Sequence, residues 1–178
     1  MNSPIRVMRD PLIVDGEKDM STMDSISDSM VTDVLTVAPD MSVGDVIAFI
    51  EGKNIRAVPV VDENRKMLGV FSTSVLIKRL LPVSATIEDG LQRLSFAVGA
   101  KDTIIKHLEE IKRHPVRDFM DSGVFVVSPE THTWEGLRLL TKHGSPIPVV
   151  DEKTGKLIGI ISDQSALKTL QSFRSTEV

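Results

Sequence analysis

The sequence predicts an α/β fold of the α+β type, assembled from two β-α-β-β-α repeats, and three observations carry that reading. Ile26 to Leu80 and Val116 to Leu170 share one pattern at an offset of about 90 residues. Val-Pro-Val-Val-Asp-Glu at 58 to 63 returns as Ile-Pro-Val-Val-Asp-Glu at 147 to 152. In each copy one stretch of helical apolar period is followed by two short β-rich runs.

Superposing the copies pairs Asp28 with Asp118, Met30 with Met120, Val34 with Val124, Val37 with Val127, Pro39 with Pro129, Pro59 with Pro148, Gly69 with Gly159, Ser72 with Ser162 and Lys78 with Lys168. Two single-residue gaps suffice, one in the first copy before Pro59 and one in the second within Lys153-Thr154-Gly155. Both fall at the ends of elements, where length changes cost little.

The elements follow in order. Residues 1–25 mix Met, Asp and Ser without a period and read either as an arm, partly disordered or swapped onto a neighbour, or as a vestigial segment. Repeat 1, residues 26–80, opens with the short strand Val34–Val37 ending at Pro39. Ser42 then caps a helix over Val43–Gly52, whose Val43, Val46, Ile47 and Ile50 share one face. Ala57–Val61 is a near-continuous apolar strand, Asp62–Lys66 a turn and Met67–Phe71 an antiparallel strand. A second helix starts near Thr73. Residues 81–115 form a helical linker with stripes Ile87, Leu91, Leu94 and Ile104, Ile105, Leu108, Ile111, separated by Gly99. Such helices need a partner, either the edge of the domain or a second subunit; the alternative is a specialised effector helix. Repeat 2, residues 116–172, supplies strand Val124–Val127, helix Trp134–Lys142, strands Ile147–Val150 and Leu157–Ile161, and a helix from about Asp163. Residues 173–178 are a tail. One repeat of about 55 residues is marginal as an independent core, so the two are expected to fold as one domain.

Composition excludes several classes of function. The 178 residues are 41% hydrophobic, with no apolar run long enough to span a bilayer. No secretory leader pattern is visible in residues 1–20, which makes a cytoplasmic location the default expectation. The absence of Cys removes thiol catalysis and thiolate metal sites, and four scattered His offer no regular ligand spacing. A net charge of −4 and few aromatic residues argue against nucleic-acid binding. No Ser-His-acid set, glycine-rich phosphate loop or HExxH sequence is present, so the chain is not expected to be an enzyme. Asp62-Glu63 and Asp151-Glu152 read as solvated turn residues, and Glu109-Glu110 with Lys112 and Arg113 as an exposed helical face.

The order of a Met-x-x-x-Val lead-in, a Val-x-Pro strand end, hydrophobic-Pro-Val-Val-Asp and Gly-hydrophobic-hydrophobic-Ser resembles that of cystathionine-β-synthase (CBS) domains, and two copies resemble a free-standing CBS pair, or Bateman module. The resemblance implies two motifs related by pseudo-twofold symmetry that dimerise. It further implies a cleft between the motifs that takes an adenosyl ligand such as AMP, ADP, ATP or S-adenosylmethionine as a regulator, with no essential cofactor. Within it Ser72 and Ser162, each at a strand end and helix start, either cap the helix or bond a ribose or phosphate. The family's ribose-binding Asp, three residues later, is here Val75 or Ser165. Val75 cannot accept a hydrogen bond from ribose, and Ser165 offers a weaker, neutral contact. Arg56 stands where nucleotide-binding pairs such as the γ subunit of AMP-activated protein kinase direct a side chain toward phosphate; its counterpart is Ser145. Lys78 and Lys168 either reach the same groove or are solvated helix lysines. Val34, Leu35, Ile55, Val58, Val124, Phe125 and Ile147 are candidates for an adenine slot or for plain core. Trp134, which replaces Gly44, marks either an interface or the core.

The expectation is therefore a homodimeric, non-enzymatic sensor regulating an enzyme or transporter in trans, with no nucleic acid and no direct membrane insertion. The alternative is a ligand-free dimerisation or scaffolding module.

Overall fold

A computed structural model describes residues 6–7, 25–80 and 100–174. The chain separates into two compact units, one of 36–60 and 69–121, the other of 1–35, 61–68 and 122–178.

The first unit is built on helix α1, Val43–Lys53. The Ser42 hydroxyl accepts the Asp45 N–H at 3.1 Å and donates to the Asp45 carboxylate at 2.7 Å, so the helix start is satisfied by its own sequence. The helix ends at Asn54, whose φ of 53° is a left-handed cap that Asn tolerates well. Strand β2, Ala57–Val61, pairs with β3, Met67–Ser72, and α2, Thr73–Leu80, follows directly. Helix α3, Ala100–Ile111, closes the unit. Val43, Val46 and Ile50 meet Val58, Val60, Phe71, Leu76 and Ile111 in one apolar core, with Leu108 packed against it. Leu108 and Ile111 of the second linker stripe thus find their partner within this unit, while Ile105 stays 47% exposed. Ile87, Leu91, Leu94 and Gly99 lie outside the described residues.

This core also takes in Val116, from the lead-in of the second repeat. Its N–H donates to Met41 O at 2.8 Å, while Asp121 and Val70 exchange backbone bonds of 2.8 and 2.9 Å. A Cβ on Gly69 would stand 2.6 Å from Asp121 O, so only glycine lets the two backbones approach this closely.

The second unit contains β4, Phe125–Val126; α4, Thr133–His143; the antiparallel pair β5, Ile147–Val150, and β6, Leu157–Ile161; and α5, Asp163–Arg174. Two residues of the arm, Arg6–Val7, form β1 parallel to β4. The core comprises Val127, Leu139, Leu140, Ile147, Val149, Ile161 and Ala166 together with Ile26, which comes from the lead-in of the first repeat. The Ile26 N–H donates to Thr131 O at 2.9 Å, and Val31 exchanges two 2.9 Å bonds with Ile160. Each repeat's opening turn, Ile26–Asp28 or Val116–Asp118, therefore completes the unit that holds the other repeat's helices and strands.

Predicted and observed elements differ most at the opening strands. Of Val34–Val37 only Val37 joins a ladder, donating to Pro59 O at 3.1 Å, because the Val34 N–H turns back to Thr32 O at 3.0 Å. Val124–Val127 is trimmed to Phe125–Val126, with Val127 bridged in parallel to Val149. Trp134 is 71% exposed, which excludes the core reading of that residue.

Candidate functional site

The sequence-predicted residues fall into two groups. In the second repeat, β6 ends at Ile161 and α5 begins at Asp163, which places Ser162 at the cap. Its hydroxyl accepts the Ser165 N–H at 3.1 Å, and Ser165 Oγ accepts the Ser162 N–H at 2.9 Å. This reciprocal capping box satisfies two orphan donors at the helix start. Ser165 also donates its hydroxyl proton to Ser162 O at 3.1 Å. It can thus offer a ligand a lone pair and no proton. The Ser162 hydroxyl serves as acceptor in the cap and keeps its own proton to give.

Ser145 joins the same place. Its hydroxyl accepts the Asp163 N–H at 3.2 Å, so the loop after α4 is tied to the start of α5. Two residues earlier, His143 ends α4 and stacks on Phe125 with ring centroids 3.5 Å apart and planes inclined at 33°. Phe125 is half-buried and His143 exposed. Partial desolvation, followed by the nearby charges of Lys142 and Arg138, holds the His143 imidazole below its ordinary range and favours the neutral ring. Val124 is half-buried beside Phe125, and Lys168 is exposed on α5.

In the first repeat, the Ser72 hydroxyl accepts the Val75 N–H at 3.2 Å and caps α2. Val75 cannot return the bond, so the box stays half-closed. The Arg56 carbonyl accepts the Thr73 N–H at 3.2 Å, the backbone equivalent of the Ser145 contact. This sets Arg56 beside the start of α2 with an exposed side chain, and Lys78 is exposed further along that helix. Leu35 and Lys53 occupy the positions of Phe125 and His143, so this repeat has no ring pair.

Two proposed slot residues have a different setting. Val58 and Ile147 are 0% and 2% exposed within the two cores, where strands covered on both faces place them, so their side chains are sealed from any ligand. The paired acids serve the hairpins. Asp62 accepts the Asn64 and Lys66 N–H groups at 2.9 and 2.8 Å. Hydrogen bonds from the Thr154 hydroxyl and from the Thr154 and Lys153 N–H groups hold the Asp151 carboxyl below its usual range. Among the described residues no group of three or more His, Asp or Glu could hold a metal, and no helix is long and apolar enough to cross a membrane.

The Phe125–His143 ring contact is not singled out by the sequence pattern, in which His143 is one of four scattered histidines. The available signal was the coincidence of two differences between the repeats, Leu35 to Phe125 and Lys53 to His143.

Comparison with known proteins agrees with this architecture. CBSX2 from Arabidopsis thaliana, a CBS-pair protein, superposes with a TM-score of 0.67 at 24% identity, covering 86% of this chain and 99% of that one. CBSX2 in complex with AMP gives 0.63 at 24% identity, covering 84% and 98%. An uncharacterized protein of Methanocaldococcus jannaschii is 25% identical over 144 residues, which are 76% of this chain and 85% of its own length. The inosine-5'-monophosphate dehydrogenase of the same organism is 28% identical over 140 residues, and the matched region spans 22% of that enzyme. The CBS domain model matches residues 24–94 and 116–172, more than half of the sequence. The chain belongs to the CBS domain family, as a tandem pair.

Proposed function

We propose that this protein is a non-enzymatic regulatory module that binds an adenine nucleotide at the second repeat and signals the occupied state to a partner. The observation that carries the reading is the Ser162 hydroxyl, which is half-buried at the start of α5 and keeps its proton available to a ribose or phosphate oxygen. The adjacent N-terminal turn of α5 carries the partial positive charge that favours an anion. Lys168 is an exposed cation on α5 able to meet phosphate, and the AMP complex of CBSX2 supports AMP as the first ligand to test. Signalling follows from differential affinity: a ligand that prefers one conformation shifts the population toward it, by no more than the difference in its binding free energies. The readout is an enzyme or transporter in trans, and exposed Trp134 supports assembly as a homodimer.

Calorimetric titration with AMP, ADP, ATP and S-adenosylmethionine tests the proposal. Saturable binding that weakens in Ser162→Ala supports it. Absence of binding by all four favours the scaffold reading, for which Val75 in place of a ribose-binding carboxylate is the specific observation.

A further inference from the structure

We infer that His143, backed by Phe125, is the platform on which the purine ring stacks, so that each chain takes a single nucleotide and takes it at the second repeat. This inference rests on the nucleotide reading above.

The ring pair is already assembled without ligand, with centroids 3.5 Å apart. That spacing leaves no room for a base between the rings. The order is therefore Phe125, half-buried at the back, then His143, exposed, then the base on the outer imidazole face. Phe125 fixes the tilt of His143 before the ligand arrives, which lowers the ordering cost of binding. The Phe125 backbone is fixed in turn by β4, and the His143 backbone by the last turn of α4. The Ser145 hydroxyl, bonded to the Asp163 N–H at 3.2 Å, ties this platform to the helix start that holds Ser162. Base and phosphate contacts thus converge on one short segment, 143–145, and the first turn of α5. A neutral imidazole suits the role, since a cation beside Lys142 and Arg138 would add to local repulsion; the Arg138 guanidinium is itself partnered by Glu135.

The first repeat lacks this apparatus, having aliphatic Leu35, 41% exposed, and cationic Lys53 at the matching positions. Stacking on an aromatic ring contributes on the order of 1–3 kcal/mol per base, roughly a five- to hundredfold change in affinity, so the difference between the repeats is large enough to set stoichiometry.

The test titrates AMP, and ribose 5-phosphate as a ligand lacking the base, into the native chain and into His143→Lys, His143→Phe and Phe125→Leu. Circular dichroism and thermal unfolding confirm that each variant is folded. The expected result is one AMP per chain, weakened roughly five- to hundredfold by His143→Lys and kept within about threefold by His143→Phe, while ribose 5-phosphate responds to neither. Phe125→Leu should weaken AMP as well, through loss of the backing ring. If AMP binds the native chain and His143→Lys binds equally well, or if two AMP bind per chain, the platform is wrong while the nucleotide reading stands. If the native chain binds none of AMP, ADP, ATP or S-adenosylmethionine, both fall.

Discussion

Gly136 and Ile26 offer a direct probe of how the second unit is built. A Cβ on Gly136 would lie 2.6 Å from Ile26 Cγ2, about 1 Å inside ordinary carbon contact, while Ile161 Cδ1 at 3.4 Å could adjust slightly. Gly136→Ala therefore sets two effects against each other. Overpacking costs about 1–3 kcal/mol, and replacing an interior helical glycine returns about 1 kcal/mol. The net change in the native chain is a destabilisation of up to about 2 kcal/mol. Ile26→Ala alone removes a side chain that is 1% exposed and should cost about 2–5 kcal/mol. In that background the obstructing methyl is gone, and Gly136→Ala should change sign, stabilising by about 1 kcal/mol. The coupling energy is then about 1–3 kcal/mol. Urea unfolding of the four proteins, monitored by circular dichroism, measures it. If Gly136→Ala shifts stability equally in both backgrounds, within about 0.5 kcal/mol, Ile26 does not occupy the space over Gly136 and the placement of the lead-in is wrong.

Other outcomes follow from the same geometry. Ser162→Ala removes a helix cap as well as the proposed ligand donor, so unfolding should show a loss of about 1 kcal/mol without any nucleotide present. Arg56→Ala leaves the carbonyl bond to Thr73 in place, and stability should stay within about 0.5 kcal/mol. Gly69→Ala drives a Cβ against the Asp121 carbonyl, a backbone atom that cannot swing away, and should lower the thermal midpoint clearly. The depressed pKa of His143 has a definite sign. The unfolded chain takes up the proton at higher pH than the folded one, so this residue leaves stability unchanged above the ordinary imidazole value of 6.5 and lowers it as pH falls through that value toward the folded pKa. Urea midpoints from pH 8 to pH 5 should consequently fall more steeply for the native chain than for His143→Phe.

Much of the fold was legible because duplication writes each element twice. The helices at Val43 and Thr133 and the strands at Ala57, Ile147 and Leu157 begin within a residue of expectation, their periods being carried by buried side chains. Val34–Leu35–Thr36 misled because β-branched composition reports suitability for a sheet without guaranteeing a partner, and the Val34 N–H is spent on Thr32. Which core accepts Ile26 was invisible along the chain, since an apolar turn fits any apolar hole. In hindsight, Gly136 at the position of Val46 signalled that the second helix had made room for a larger side chain. The serines at 72 and 162 could be placed at helix starts from strand length alone. Their unequal completion as caps followed from Val75 and Ser165. The Phe125–His143 stack joins residues 18 apart through two elements, a distance over which no periodic pattern reports.

The most direct measurement is thermal unfolding of the native chain with and without each adenosyl ligand at saturating concentration. A ligand held only by the folded state adds RT ln(1 + [L]/Kd), about 2.7 kcal/mol at a hundredfold excess over Kd, which for a chain of this size raises Tm by roughly 5–10 °C. Such a shift is expected with AMP or a close relative, together with its reduction in Ser162→Ala. An unchanged Tm with AMP, ADP, ATP and S-adenosylmethionine alike would contradict the proposed function.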